Sequence, residues 1–235
     1  MEKNIDNSEE QPIYEAINEL VSIRLNKIQQ LQEKNINCYP NKYNKIMDLK
    51  EISDLFEDID FENKKKVKTA GRLMSIRYHG KTAFGNIKDS TSKIQLYFRK
   101  DIINEEVFDF LKHYIDIGDI IGVDGELFTT HTGEKTIIVH QIKLLSKSIL
   151  PLPEKWHGLK DIEIRYRQRY LDLIVNDETR KTFFIRSEII QKIRNFLITK
   201  KFLEVETPMM HPIPGGATAR PFDTYHNTLD MKLYL

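Results

Sequence analysis

Three runs decide the fold of the first half of this chain: "VKTAGRLMSIRYHG" (residues 67–80), "TAFGNIKD" (82–89) and "KIQLYFRK" (93–100). Each is short and rich in strand-forming residues, and turn-formers close them, Gly80 after the first and Asp89-Ser90-Thr91-Ser92 after the second. They predict three consecutive strands. A helical stretch, Asn104 to Tyr114, follows. Beyond Gly118-Asp119, "IIGVDGELFTT" (120–130) and "KTIIVHQIKLLS" (135–146) predict two more strands, joined at His131-Thr132-Gly133-Glu134.

Five short strands with a helix between the third and fourth point to a partly open Greek-key barrel of the oligonucleotide-binding type, with another small β-barrel as the alternative. Charge and aromatic content agree. Residues 67–100 hold eight Lys or Arg against one acid, Asp89, so positive charge is concentrated there although the whole chain carries only +1. Arg72, Arg77, Lys81, Lys88 and Lys93 are interleaved with Tyr78, Phe84, Tyr97 and Phe98. Cations hold phosphates, rings stack on splayed-out bases, and a side chain such as Gln reads base edges. Phe84 and Gln95 are the candidates for stacking and reading, with Arg72, Arg77 and Lys81 attracting phosphate. Strand alternation sends about half of the aromatics inward, so Tyr97 and Phe98 cannot both face a ligand.

Outside the strands, Ile13, Ile17, Leu20, Ile28 and Leu31 recur at helical spacing and predict an amphipathic helix over 13–34. The polar stretch 35–66 reads as a solvated linker with a short helix near Ser53 to Asp58. Leu150-Pro151-Leu152-Pro153 marks a boundary. Past it, Glu178 to Lys201 predicts a second long helix carrying Phe183, Phe184, Ile190, Ile193 and Leu197. It leads into the strand-like "FLEVETPMM" (202–210) with Pro208 and then the loop "PGGATARPF" (214–222). Proline and paired glycines let that loop bring backbone N–H groups close to a ligand, or simply turn at the surface.

Composition, at 40% hydrophobic and 30% charged, excludes a disordered or membrane-spanning chain, and the start carries no secretory or transit character, so a cytoplasmic protein is expected. The single Cys38 permits no internal disulfide or cysteine-rich metal site. The seven histidines show no metal-ligand spacing, so no metal site is expected. No phosphate loop, GxGxxG, GxSxG or HExxH signature occurs.

The segments "PLPEKWHGLKDIEIRYRQRYLDLI" (151–174), "FLEVETPMM" and "PIPGGATARPFDTYHNTLDMKLYL" (212–235) together closely resemble class II lysyl-tRNA synthetases. The resemblance covers nearly the whole chain from about Arg24. It implies an α+β protein in which a five-stranded OB-fold barrel is followed by the start of a class II synthetase antiparallel α/β catalytic domain. The implied domains are a helical extension (1–66), an anticodon-binding barrel (67–148) and an incomplete catalytic domain (149–235). The implied activity is ATP-dependent activation of lysine and its transfer to tRNA(Lys), with Mg as the metal.

By the same resemblance, Arg77, Phe84, Gln95 and Glu134 correspond to positions that recognise the anticodon, chiefly its central uridine. Gly216 corresponds to a lysine-pocket backbone position, and Pro208 to the proline of the dimer-interface motif, implying a homodimer. The ATP-holding second and third motifs, the catalytic residues and the magnesium ligands are expected beyond Leu235, so no catalytic residue is assigned and this chain alone is expected to be inactive. The alternatives are a non-catalytic OB-fold tRNA-binding protein and the aspartyl/asparaginyl branch, which lacks the "PLPxKxHGL" and "PGGAxARPF" patterns.

Overall fold

The structure, a computed structural model, describes residues 10–57, 65–130, 132–153, 159, 161–215 and 220–235. They fall into two compact units, Met1–Glu154 and Lys155–Leu235. The first contains helix α1 (Glu10–Glu33), helix α2 (Leu49–Leu55) and strands β1 (Lys66–His79), β2 (Thr82–Lys88) and β3 (Lys93–Arg99). Helices α3 (Lys100–Ile103) and α4 (Glu105–Tyr114) and strands β4 (Ile120–Thr129) and β5 (Lys135–Ser146) complete it.

The five strands form a closed barrel in the order β1-β2-β3-β5-β4, whereas the sequence suggested a partly open one. Length explains the closure. The 14 residues of β1 reach far enough to pair antiparallel with β2 along one half and with β4 along the other. The remaining gap is sealed by a short parallel pairing of Gln95, Leu96 and Tyr97 with Thr136, Ile137 and Ile138. Alternation fills the interior, where Leu73, Ile87, Leu96, Phe98, Val123 and Ile137 are fully buried. Helix α4 adds Phe108 and Leu111 to this core, and the Asn104 side chain caps its start by accepting the Val107 N–H at 2.9 Å.

A single irregularity in β1 decides which of its side chains face outward. The register of β1 against β2 shifts between Leu73 and Ser75, a bulge at Met74. Before it Val67, Thr69, Gly71 and Leu73 point inward; after it the inward positions are Ile76 and Tyr78. The extra residue reverses which face each later side chain takes. Arg77 is thereby exposed on the outside, and Tyr78 packs edge-on against Phe108 with its hydroxyl on the Leu111 carbonyl at 3.2 Å.

The described residues 34–57, between α1 and β1, are not a solvated linker. Leu49 and Ile52 are fully buried, and Cys38 nearly so. The N–H groups of Ile46 and Met47 donate to the Lys68 carbonyl, and Thr69 returns a bond to the Met47 carbonyl at 2.9 Å. The Tyr43 ring lies over Gly122 so closely that a Cβ there would collide with it, and its hydroxyl donates to Asp124 at 3.0 Å. Asp89, in the β2–β3 turn, accepts the Leu49 N–H at 3.0 Å and pins the start of α2, which begins earlier than the sequence suggested.

At the far end of this unit lies a buried charge network. The Lys147 ammonium is fully buried, bonded to the Tyr114 carbonyl at 2.7 Å, to Asp119 at 2.6 Å and to Asp116, which also accepts from Lys27. Nearby, Arg24 of α1 donates to the carbonyls of Ile117, Ser148 and Leu150 at 2.8–3.1 Å. A buried cation is tolerated here because several acceptors surround it.

The second unit holds α5 (Ile162–Arg167), α6 (Arg169–Val175), α7 (Asp177–Thr199) and the antiparallel pair β6 (Asp223–His226) and β7 (Met231–Tyr234). Asp172 organises the three helices. Its buried carboxylate accepts from Arg165, Arg169, Asn176 and Thr179, one group from each neighbouring turn. Burial alone would raise its pKa, but the bonds from Asn176 and Arg165 outweigh it and hold the carboxyl below its ordinary value. The Arg-rich stretch 165–169 is thus partly a structural clamp. Phe202 to Pro208, expected as a strand, has no ladder partner among the described residues, and Pro208 is exposed.

Candidate nucleic-acid interface

The three antiparallel strands β1, β2 and β3 present one continuous outer face. Arg77 is the register partner of Phe84, and Phe84 of Tyr97, so a cation and two rings form one row across the sheet. The Phe84 and Tyr97 rings stack at 4.5 Å between centroids and 16° between planes. Phe98 is fully buried, so alternation separates the neighbouring rings.

The next row contains Ser75, Asn86 and Gln95, again register partners, and across the parallel seam Thr136. Asn86 Nδ2 donates to Ser75 Oγ at 3.0 Å, and Thr136 Oγ1 donates to Gln95 Oε1 at 2.8 Å. Glu134 is exposed at the mouth of the β4–β5 hairpin, two residues before Thr136, with its carbonyl accepting the Thr130 N–H at 3.1 Å. Lys81 is exposed in the hairpin after Gly80, whose φ of +57° suits a glycine. The face therefore offers a flat π-surface, a base-edge amide and flanking cations, the three elements that single-stranded nucleic acid requires.

One cation and one ring that the sequence places among the candidates have other employment. Arg72 lies before the bulge and donates to the Gly118 carbonyl at 2.6 Å, with burial lowering its pKa. Tyr78 is a packing residue, its phenol pushed up to about 12 by burial and, secondarily, by Asp116. Conversely, Tyr97 and Thr136 belong to the face although the sequence does not single them out as site residues. The alternation that buries Phe98 is itself a sequence signal for Tyr97.

In the second unit, Gly216 lies outside the described residues, and Gly215 beside it faces open space. Among the described residues no group of three or more His, Cys, Asp or Glu could hold a metal ion, so no step through a metal is assigned to them. A concavity of about 530 Å³ lined by Arg165, Asn176, Asp177 and Thr179 abuts the Asp172 clamp. Along α7, Phe184, Ile193, Phe196 and Ile198 are more than half exposed. No helix among the described residues is long and apolar enough to cross a membrane.

Residues 67–145 match the OB-fold nucleic acid binding domain, and residues 161–235 match tRNA synthetases class II (D, K and N). The chain therefore carries an OB-fold nucleic-acid-binding domain joined to the start of a class II synthetase domain. It is 52% identical to the lysine–tRNA ligase of Carboxydothermus hydrogenoformans over 94% of its own length and 45% of that protein's. With the lysine–tRNA ligase of Fusobacterium nucleatum it shares 50% identity over 100% of this chain and 45% of the relative, and with that of Methanoculleus marisnigri 51% over 90% and 42%. Within the class II group, then, the chain resembles the N-terminal portion of lysyl-tRNA synthetases, spanning less than half the length of these relatives.

Proposed function

We propose that this chain serves a lysine–tRNA ligase, which activates lysine with ATP and Mg and transfers it to tRNA(Lys). The division we propose has residues 1–66 as a helical extension, 67–148 as the anticodon module and 149–235 as the first part of the catalytic domain. The observation that carries the reading is the outer-face row Arg77, Phe84, Tyr97, with Gln95 and Glu134 beside it. A stacked ring pair accepts a base, Arg77 neutralises a phosphate, and Gln95 reads the edge of the central uridine. Positioning and charge stabilisation are what a synthetase asks of its protein groups, and Gly216 supplies lysine-pocket backbone in this reading.

The exposed apolar residues of α7, with Phe183, Ile190 and Leu197 at heptad spacing, support a homodimer through this helix and the Pro208 segment. The test of the anticodon reading is direct. The chain binds an RNA stem-loop with the anticodon UUU more tightly than one whose central base is altered; equal affinity for both defeats the reading.

A further inference from the structure

We propose that Thr136 is a positioning residue that fixes the orientation of the Gln95 amide and so decides which pyrimidine the face accepts. This role rests on the anticodon function proposed for the same face. Thr136 and Gln95 are register partners across the parallel β3–β5 seam, and Thr136 is fully buried. Its hydroxyl has two acceptors in reach, Gln95 Oε1 at 2.8 Å and the Glu134 carbonyl at 3.1 Å, but a single proton. The Glu134 carbonyl already accepts the Thr130 N–H. The proton accordingly lies in the shorter bond and holds Oε1 toward β5.

The hold matters because a glutamine amide is nearly symmetric in shape and opposite in chemistry at its two tips. Uridine presents an acceptor, O4, beside a donor, N3–H; cytosine presents a donor, the N4 amino group, beside an acceptor, N3. An unrestrained amide matches either by turning half a revolution. With Oε1 held by Thr136, Nε2 donates to O4 and the second lone pair of Oε1 receives N3–H, which is the uridine pattern. To read cytosine, Gln95 would have to turn its NH2 toward the Thr136 oxygen, and the hydroxyl proton would have to give up the 2.8 Å bond for the longer one to the Glu134 carbonyl, which already accepts the Thr130 N–H. Asn86, the neighbour on β2, directs its amide at Ser75, and so leaves Gln95 to Thr136.

The experiment compares two stem-loops that differ only in U or C at the central anticodon position, bound to wild type, Thr136→Val, Thr136→Ser and Gln95→Ala. Wild type prefers U by roughly 5- to 150-fold, the discrimination of a good bidentate contact. Thr136→Val, similar in shape but without the hydroxyl, brings the ratio close to one, chiefly by improving C. Thr136→Ser retains it. If Thr136→Val does not fold, as judged by thermal melting, Thr136→Ala takes its place with the same expectation. A wild-type ratio in the hydroxyl-free variant, while Gln95→Ala loses the preference, overturns the role of Thr136. Loss of the ratio in Thr136→Ser overturns it too. A wild-type ratio in Gln95→Ala refutes the anticodon reading itself, and the proposal with it.

Discussion

Phe84 and Tyr97, on neighbouring strands, lie ring on ring outside the barrel with centroids 4.5 Å apart. Tyr97 covers one face of Phe84, so in the proposed reading the two rings act as a backed platform for a base. Phe84→Ala should lower affinity for the UUU stem-loop by about 1–3 kcal/mol, the worth of one stacked base. Tyr97→Ala, which removes only the backing, should cost about 0.5–1.5 kcal/mol. Neither variant should shift the thermal midpoint by more than a few degrees, since both rings sit outside the core. Unfolding of either, or unchanged binding in both, would show that the pair serves the barrel alone.

Arg72 and Arg77 stand on the same strand and should behave differently. Arg77→Gln is expected to weaken cognate and unrelated stem-loops alike and to reduce the salt slope by about one phosphate contact. Arg72→Gln removes the bond to the Gly118 carbonyl and should lower stability while leaving the slope intact. Titration of binding against salt, with a urea melt of each variant, separates them.

Lys147→Met removes the only cation bonded to Asp119 among the described residues and leaves that buried carboxylate without its charge partner. Breaking a buried pair by taking one member costs about 3–5 kcal/mol, more than replacing both. The urea midpoint of the barrel unit should fall accordingly. An unaltered midpoint would mean that water or backbone N–H groups alone satisfy Asp119.

Acid should loosen α5, α6 and α7. The folded pKa of Asp172 is depressed, so its stabilisation is present above the unfolded value of about 3.9 and disappears as pH drops through the folded value. Asp172→Asn should be less stable than wild type at pH 7, and the difference should shrink below about pH 4. A difference independent of pH would assign the whole effect to shape.

The five barrel strands with a helix between the third and fourth, and the two long helices, were legible from periodicity and turn residues, whereas the closure of the barrel was not. Other features depended on contacts between distant residues. The bulge at Met74 carries no glycine or proline to announce it, yet it turns Arg77 out and Tyr78 in. The stretch 35–66 reads as polar, yet few apolar side chains suffice to seat its described part, residues 35–57, Leu49 and Ile52 being fully buried. Thr136 looks like an ordinary strand residue until the parallel seam sets it beside Gln95. The loop position Gly216 was legible only through resemblance.

Arg24 fastens the first helix to the carbonyls that come after the last barrel strand, while Tyr43 and α2 cover the side in between. The consequence concerns portability. A fragment trimmed to residues 67–145, the span that matches the nucleic-acid-binding domain family, keeps all five strands but for the end residues Lys66 and Ser146, and strips the ring from over Gly122 and the apolar cover supplied by Leu49 and Ile52. Grafted onto another protein, it would present sticky bare flanks and self-associate. A transplantable barrel of this kind starts with α1 and ends past Leu150, where the segments before and after the five strands are buttoned together by a single guanidinium.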